Sequence, residues 1–137
     1  MKLRNINGKF IYKNVASKRI DWGKKSRSNI QFDVKSLLRS IWKNDVVYEE
    51  FPVYGTRLSL DFYNANLDIA IEVQGRQHTE YVPFFHGKNQ ACFIDQLKRD
   101  RDKQHFCEIN DIKLILIMEE EKKKISLEFL EGLINEE

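Results

Sequence analysis

Apolar and polar positions alternate with changing period along the chain, and the changes mark out its elements. Behind Ser28, whose hydroxyl suits an N-cap, Ile30, Phe32, Val34, Leu37, Leu38, Ile41 and Trp42 mostly follow helical spacing, predicting a helix over about 28–43. The β-rich run Val46–Val53 reads as a strand that Pro52 pushes toward a sheet edge or a strand end. After the turn at Tyr54-Gly55-Thr56, Leu58, Leu60 and Phe62 alternate with Ser59, Asp61 and Tyr63, the signature of a half-buried strand. Asn64-Ala65-Asn66 is a second turn, and Asp68–Gln74 a third strand, so the three strands predict an antiparallel meander.

Past Gly75 comes a loop containing Pro83 and Gly87. A long helix over about 90–110 then has Cys92, Phe93, Leu97, Phe106 and Ile109 as inner-face candidates and Asn110 as its C-terminal cap. Leu114–Met118 is wholly apolar, which predicts a short central strand. Glu119–Glu137 reads as an amphipathic helix packing through Ile125, Leu127, Phe129, Leu130, Leu133 and Ile134. The order αβββαβα is that of a layered α/β or α+β domain over residues 28–137, preceded by an arm at 1–27 that lacks clear periodicity and can hold short strands.

Length and composition suit one core, and 137 residues are enough for one domain. No apolar run approaches the ~18 residues that span a bilayer, and no signal-peptide core follows the first residues, so an intracellular protein without a membrane partner is expected. Cys92 and Cys107 lack zinc-site spacing and read as reduced thiols. Charge changes the picture more. Residues 1–43 hold twelve Lys/Arg against two acidic residues, whereas residues 44–137 hold eleven against nineteen. A basic segment on an acidic body points to an anionic partner, and Phe10, Tyr12, Trp22 and several asparagines interleaved with its charges favour nucleic acid over a membrane surface. Lys18, Arg19, Lys24, Lys25 and Arg27 are the candidate phosphate contacts there, with Arg76 further on.

The chemistry concentrates where polar residues interrupt the apolar strands. In a hairpin turning at Asn64–Asn66, Asp61 and Glu72 can lie close together, with Gln74 on the face of Glu72 and Val73 opposite. Two carboxylates and an amide oxygen are hard ligands, suited to Mg²⁺ or Mn²⁺, and like charges opposed across strands favour a cation between them. Singly, each carboxylate is as readily a solvent-facing strand residue. His78, four residues past Gln74 and beyond the flexible Gly75, offers a proton acceptor or phosphate donor, or a plain hydrogen-bonded loop residue. The run Lys98–Lys103 reads as a solvated helix face from which Asp100 can turn toward the site.

As an ordered set, Asp61-Phe62, then Ile71-Glu72-Val73-Gln74-Gly75-Arg76-Gln77-His78, then Arg99-Asp100-Arg101-Asp102-Lys103 with Cys107, then Asn110–Leu114 resembles the PD-(D/E)XK nuclease superfamily. Within it the likeness is to the branch of very-short-patch repair endonucleases and phage EDxHD homing endonucleases. The resemblance implies a restriction-endonuclease-like αβββαβ core, a mixed central sheet flanked by helices, with a C-terminal helix added. It implies a metal-dependent endodeoxyribonuclease of the phage homing type acting on double-stranded DNA in a prokaryotic host cell. Asp61 and Glu72 would hold Mg²⁺ (or Mn²⁺), with His78, Asp100 and Gln74 completing the catalytic set. Two positions depart from the family pattern. Gln74 stands where lysine is usual, and Gln31 where the branch places a glutamate, which makes Glu49 or Glu50 the replacement. Strand alternation lets only one of these face the site, and grouping Glu50 with Tyr48 and Pro52 against Val47, Glu49 and Phe51 favours Glu50. The alternatives are a mismatch- or junction-specific nickase, a catalytically silent DNA-binding module, or an interaction domain whose C-terminal helix forms a homodimer.

Overall fold

The computed structural model describes residues 1–73 and 88–136. Strands β1 (Lys2–Arg4) and β2 (Phe10–Tyr12) precede a single 3-10 turn at Ala16–Lys18, helix α1 (Asn29–Trp42), and strands β3 (Val47–Pro52), β4 (Ser59–Asn64) and β5 (Ile69–Val73). Helix α2 (Lys88–Ile109), strand β6 (Lys113–Ile117), a 3-10 segment at Glu119–Lys124 and helix α3 (Leu127–Asn135) follow. β3, β4 and β5 form the expected antiparallel meander, and β6 joins β5 in parallel, giving a mixed sheet of order β3-β4-β5-β6.

Both faces of this sheet are covered. On one, Val34, Leu38 and Trp42 of α1 and Leu130 of α3 pack with Val47, Phe62, Ile71, Ile115 and Ile117. On the other, Phe106 and Cys107 of α2 and Leu3 of β1 pack with Tyr48, Phe51, Leu60, Tyr63 and Ala70. Each fully buried Val, Leu, Ile or Phe among them contributes about 1.5–3 kcal/mol. α1 starts as its sequence predicts: Ser28 has extended backbone angles, and its Oγ accepts from the Gln31 N–H at 3.2 Å.

Four expectations are corrected. β4 is buried on both faces rather than half-buried, because Tyr63 joins the α2-side cluster while Phe62 joins the other. Among the described residues β6 is an edge strand of the sheet, not a central one, since β5 lies between it and the hairpin; Leu116 is exposed there. Leu97 is exposed: it lies nine residues, about two and a half turns, before Phe106 and so points away from the core that, among the described side chains of α2, Phe106 and Cys107 enter. The C-terminal stretch is two elements, as Ser126 caps a fresh helix by accepting from the Phe129 N–H at 3.1 Å.

The basic N-terminal stretch carries a hairpin docked on the core. Asn5 Oδ1 accepts from the Asn7 and Lys9 N–H groups, and Gly8 takes the left-handed backbone (φ 85°) that closes the turn. Asn110 fulfils its capping role through its side chain: Nδ2 donates to the Phe106 carbonyl at 2.9 Å and to the Arg4 carbonyl at 3.0 Å. Its Oδ1 accepts from the Arg4 N–H, tying β1 to the end of α2, while Asp111 takes the left-handed turn (φ 55°). Among the described residues, no helix is long and apolar enough to cross a membrane.

Candidate functional site

The site forms where β4 and β5 part. Their ladder pairs Phe62–Asn64 with Ile69–Ile71, and beyond it the carboxylates take over the backbone partners. Glu72 Oε1 accepts from the Asp61 N–H at 2.7 Å, and Asp61 Oδ2 accepts from the Val73 N–H at 2.7 Å. Each acid thus satisfies a buried donor on the other's strand that the widening sheet would otherwise leave orphaned. Both are 5% exposed.

The remaining oxygens face cations from opposite sides. Lys103 Nζ of α2 lies 2.7 Å from Glu72 Oε2, and Arg27 Nη2, just before α1, lies 3.7 Å from Asp61 Oδ1 and 3.1 Å from Glu50 Oε2. These contacts leave both acids short of charge compensation. Burial first, then the Glu72 charge, push the Asp61 carboxyl up to about 7, with Glu50 adding and the Val73 N–H and Lys103 opposing. Burial likewise raises Glu72 in spite of Lys103.

Glu50 stands opposite Asp61, between the Glu49–Phe62 and Phe51–Leu60 pairs of the β3–β4 ladder. The expectation that only one of Glu49 and Glu50 faces this region is corrected. Glu50 has a left-handed backbone (φ 55°), which shifts the alternation of β3 by one residue. Tyr48 and Phe51 therefore share a face, their rings 5.4 Å apart, and both glutamates reach α1. Gln31 Nε2 donates to Glu49 Oε2 and to Glu50 Oε1, each at 3.0 Å, and Ser59 Oγ donates to Glu50 Oε2 at 2.9 Å. Behind them the ammonium of Lys35, 0% exposed, lies 2.8 Å from Glu49 Oε1 and 2.6 Å from the Lys24 carbonyl.

The structure thus brings Asp61, Glu72 and Glu50 together. Asp100 shares with Glu72, Lys103, Gln104, Leu114 and Leu116 a cavity of 170 Å³ between α2 and β6. Lys18, Arg19, Lys24, Lys25 and Arg27 line an open polar groove of 570 Å³ together with Asp21, Glu49 and Glu50. Gln74, Arg76 and His78 lie outside the described residues. Sequence reasoning passed over Lys103, read as part of a solvated run, and Lys35. Lys35 carried a usable signal: four residues after Gln31 and next to Val34, it falls on the apolar stripe of α1, where a cation needs a buried partner.

As a donor set, two desolvated carboxylates holding raised protons fit a hard divalent cation, which would relieve the same charge excess. Among the described residues, however, no group of three or more His, Cys, Asp or Glu side chains is arranged to hold a metal ion.

No protein-family model matches the chain, and no solved structure matches it. Three curated viral proteins are similar over part of it. The chain is 45% identical over 64 residues to uncharacterized protein 094L of Frog virus 3 (isolate Goorha), covering 47% of this chain and 41% of that protein. It is 38% identical over 58 residues to uncharacterized protein 307L of Invertebrate iridescent virus 6, covering 42% and 29%. It is 33% identical over 64 residues to uncharacterized protein 033L of Invertebrate iridescent virus 3, covering 47% and 32%. The matched segments span less than half the length of each relative. All three relatives are viral, and none supports the prokaryotic host expected from the sequence.

Proposed function

We propose that the chain is a metal-dependent endonuclease hydrolysing DNA phosphodiester bonds. The observation that carries the reading is the buried Asp61–Glu72 pair, each acid locked to the other's strand by a 2.7 Å backbone hydrogen bond and each holding its proton unusually high. The ordered resemblance of these residues to the PD-(D/E)XK superfamily supports it, as does a groove carrying five Lys/Arg side chains, of which Arg27 reaches both Glu50 and Asp61.

When bound, Mg²⁺ or Mn²⁺ supplies charge neutralisation at the phosphate and acidifies a water. Asp61 and Glu72 would hold the ion, with Glu50 within reach of the same charge. Arg27, two-thirds exposed, is free to swing from the carboxylates to a phosphate oxygen, and Lys103 compensates Glu72 while offering its ammonium to the scissile group. The Gln31 amide nitrogen donates to both glutamates and holds Glu50 in place.

A second reading, a DNA-binding module without catalysis, is favoured by one observation, the occupation of the outward carboxylate oxygens by Arg27 and Lys103. A panel of supercoiled, mismatched and branched DNA incubated with Mg²⁺ or Mn²⁺ separates the two. Nicked or cut product, with 3′ and 5′ ends assigned by sequencing, is expected. DNA binding that ignores divalent metal, with every substrate intact after long incubation, would establish the second reading instead.

A further inference from the structure

The β1–β2 hairpin has two chemically opposite faces. The cross-strand partners Leu3 and Ile11 pack on the core, so Lys2, Arg4, Phe10 and Tyr12, which alternate with them, share the outer face. There Phe10 is 52% and Tyr12 75% exposed. Lys2 Nζ lies 4.7 Å from the Phe10 ring centroid and 5.8 Å from that of Tyr12, and the Arg4 guanidinium lies 4.1 Å from the Phe10 centroid. Residues 1–13 carry Lys2, Arg4, Lys9 and Lys13 and no carboxylate. The cations therefore have aromatic faces but no counter-charge of their own segment.

The face adjoins further cations. Tyr12, Lys13, Asn14 and Arg19 line an open groove of 980 Å³, and Arg19 also lines the polar groove that includes Glu49 and Glu50. Cations meet phosphates in either a duplex or a single strand, but flat exposed rings meet base faces only where the bases are unstacked.

We propose that this hairpin face binds an unpaired stretch of a DNA strand, its bases stacking on Phe10 and Tyr12 and its phosphates following Lys2, Arg4, Lys13 and Arg19. The substrate of the carboxylate site is then DNA with a single-stranded segment beside the bond to be cut. The inference rests on the reading of DNA as the partner, but not on its hydrolysis, and its test contains no metal.

Fluorescence anisotropy in EDTA with the full chain compares three probes of about 16 nucleotides: an oligo-dT strand, an abasic strand with the same phosphates, and a duplex. Wild type binds the dT strand at least tenfold more tightly than the abasic strand. Phe10→Ala and Tyr12→Ala each weaken dT binding roughly 5- to 100-fold and leave the abasic strand and the duplex unchanged. Phe10→Leu, which keeps apolar bulk without the aromatic face, weakens dT binding in the same direction, and thermal unfolding confirms that each variant is folded. Lys2→Gln weakens all three probes alike. Equal affinity for dT and abasic strands, no measurable dT binding at low salt, or ring variants that bind dT as wild type does would overturn the proposal. Metal-dependent cutting of DNA in spite of such a result would leave the nuclease reading standing.

Discussion

At the scale of single residues, Asp61 is the most informative group in the chain. Folded, it keeps its proton up to about 7; unfolded, it titrates in the ordinary carboxylate range near ~4. Between those values the folded chain holds a proton that the unfolded chain has lost, so the stability owed to this group falls as pH rises through the window. Glu72 is shifted in the same direction. In EDTA, Asp61→Asn should therefore gain stability relative to wild type between about pH 4 and pH 7, by an amount on the order of a few kcal/mol, read from unfolding curves. A difference that does not change with pH would contradict the burial argument.

The sequence disclosed Asp61 and Glu72 because polar residues in an apolar strand run are conspicuous, and the turn at Asn64–Asn66 allowed their pairing to be inferred. It did not disclose Lys103, since one lysine in a run of six charged residues bears no mark of its partner. Glu49 and Glu50 were misassigned to opposite faces for a different reason. The left-handed backbone of Glu50 is a tertiary outcome, held by Gln31, Ser59 and Arg27, and glutamate gives no local signal for it.

At the scale of elements, α1 is bound to β3 by polar contacts as well as by apolar packing. Lys35 is fully buried and paired, and removing one partner of such a pair leaves the other desolvated and uncompensated. Lys35→Met should lower the urea-unfolding free energy by about 3 kcal/mol, and adding Glu49→Gln should recover part of that loss, giving a measurable coupling in a double-mutant cycle. Strictly additive effects would show that the pair is not coupled. The helix itself was readable, from its Ser28 cap to its apolar stripe, as was the meander. The edge position of β6 was not: an apolar run of five residues implies burial without saying which neighbours supply it, and here helices do much of that work on one face. The short strands expected in the arm at the start of the chain are present as β1 and β2, and their pairing about Asn7-Gly8 is the part that the lack of clear periodicity there did not disclose.

At the scale of the whole molecule, the uneven charge takes on a location. Lys18, Arg19, Lys24, Lys25 and Arg27 line one groove that also holds Glu49 and Glu50, so phosphate would be drawn to one surface of an otherwise acidic body. Lys24→Gln and Lys25→Gln, both at exposed positions, should weaken DNA binding similarly for all sequences. Each should flatten the dependence of log K on log salt by about one unit if its lysine contacts a phosphate. An unchanged slope would place the DNA elsewhere.

The central claim is that Asp61 and Glu72 hydrolyse a phosphodiester with a divalent ion, and nicking of supercoiled plasmid under single-turnover conditions tests it most directly. Wild type with Mg²⁺ or Mn²⁺ should convert supercoiled to open-circular or linear DNA and should stop in EDTA. Asp61→Asn should bind the plasmid as wild type does and cut at least a hundredfold more slowly, the usual scale for removing an essential catalytic group. Equal cutting by wild type and Asp61→Asn, or cutting undiminished in EDTA, would contradict the account.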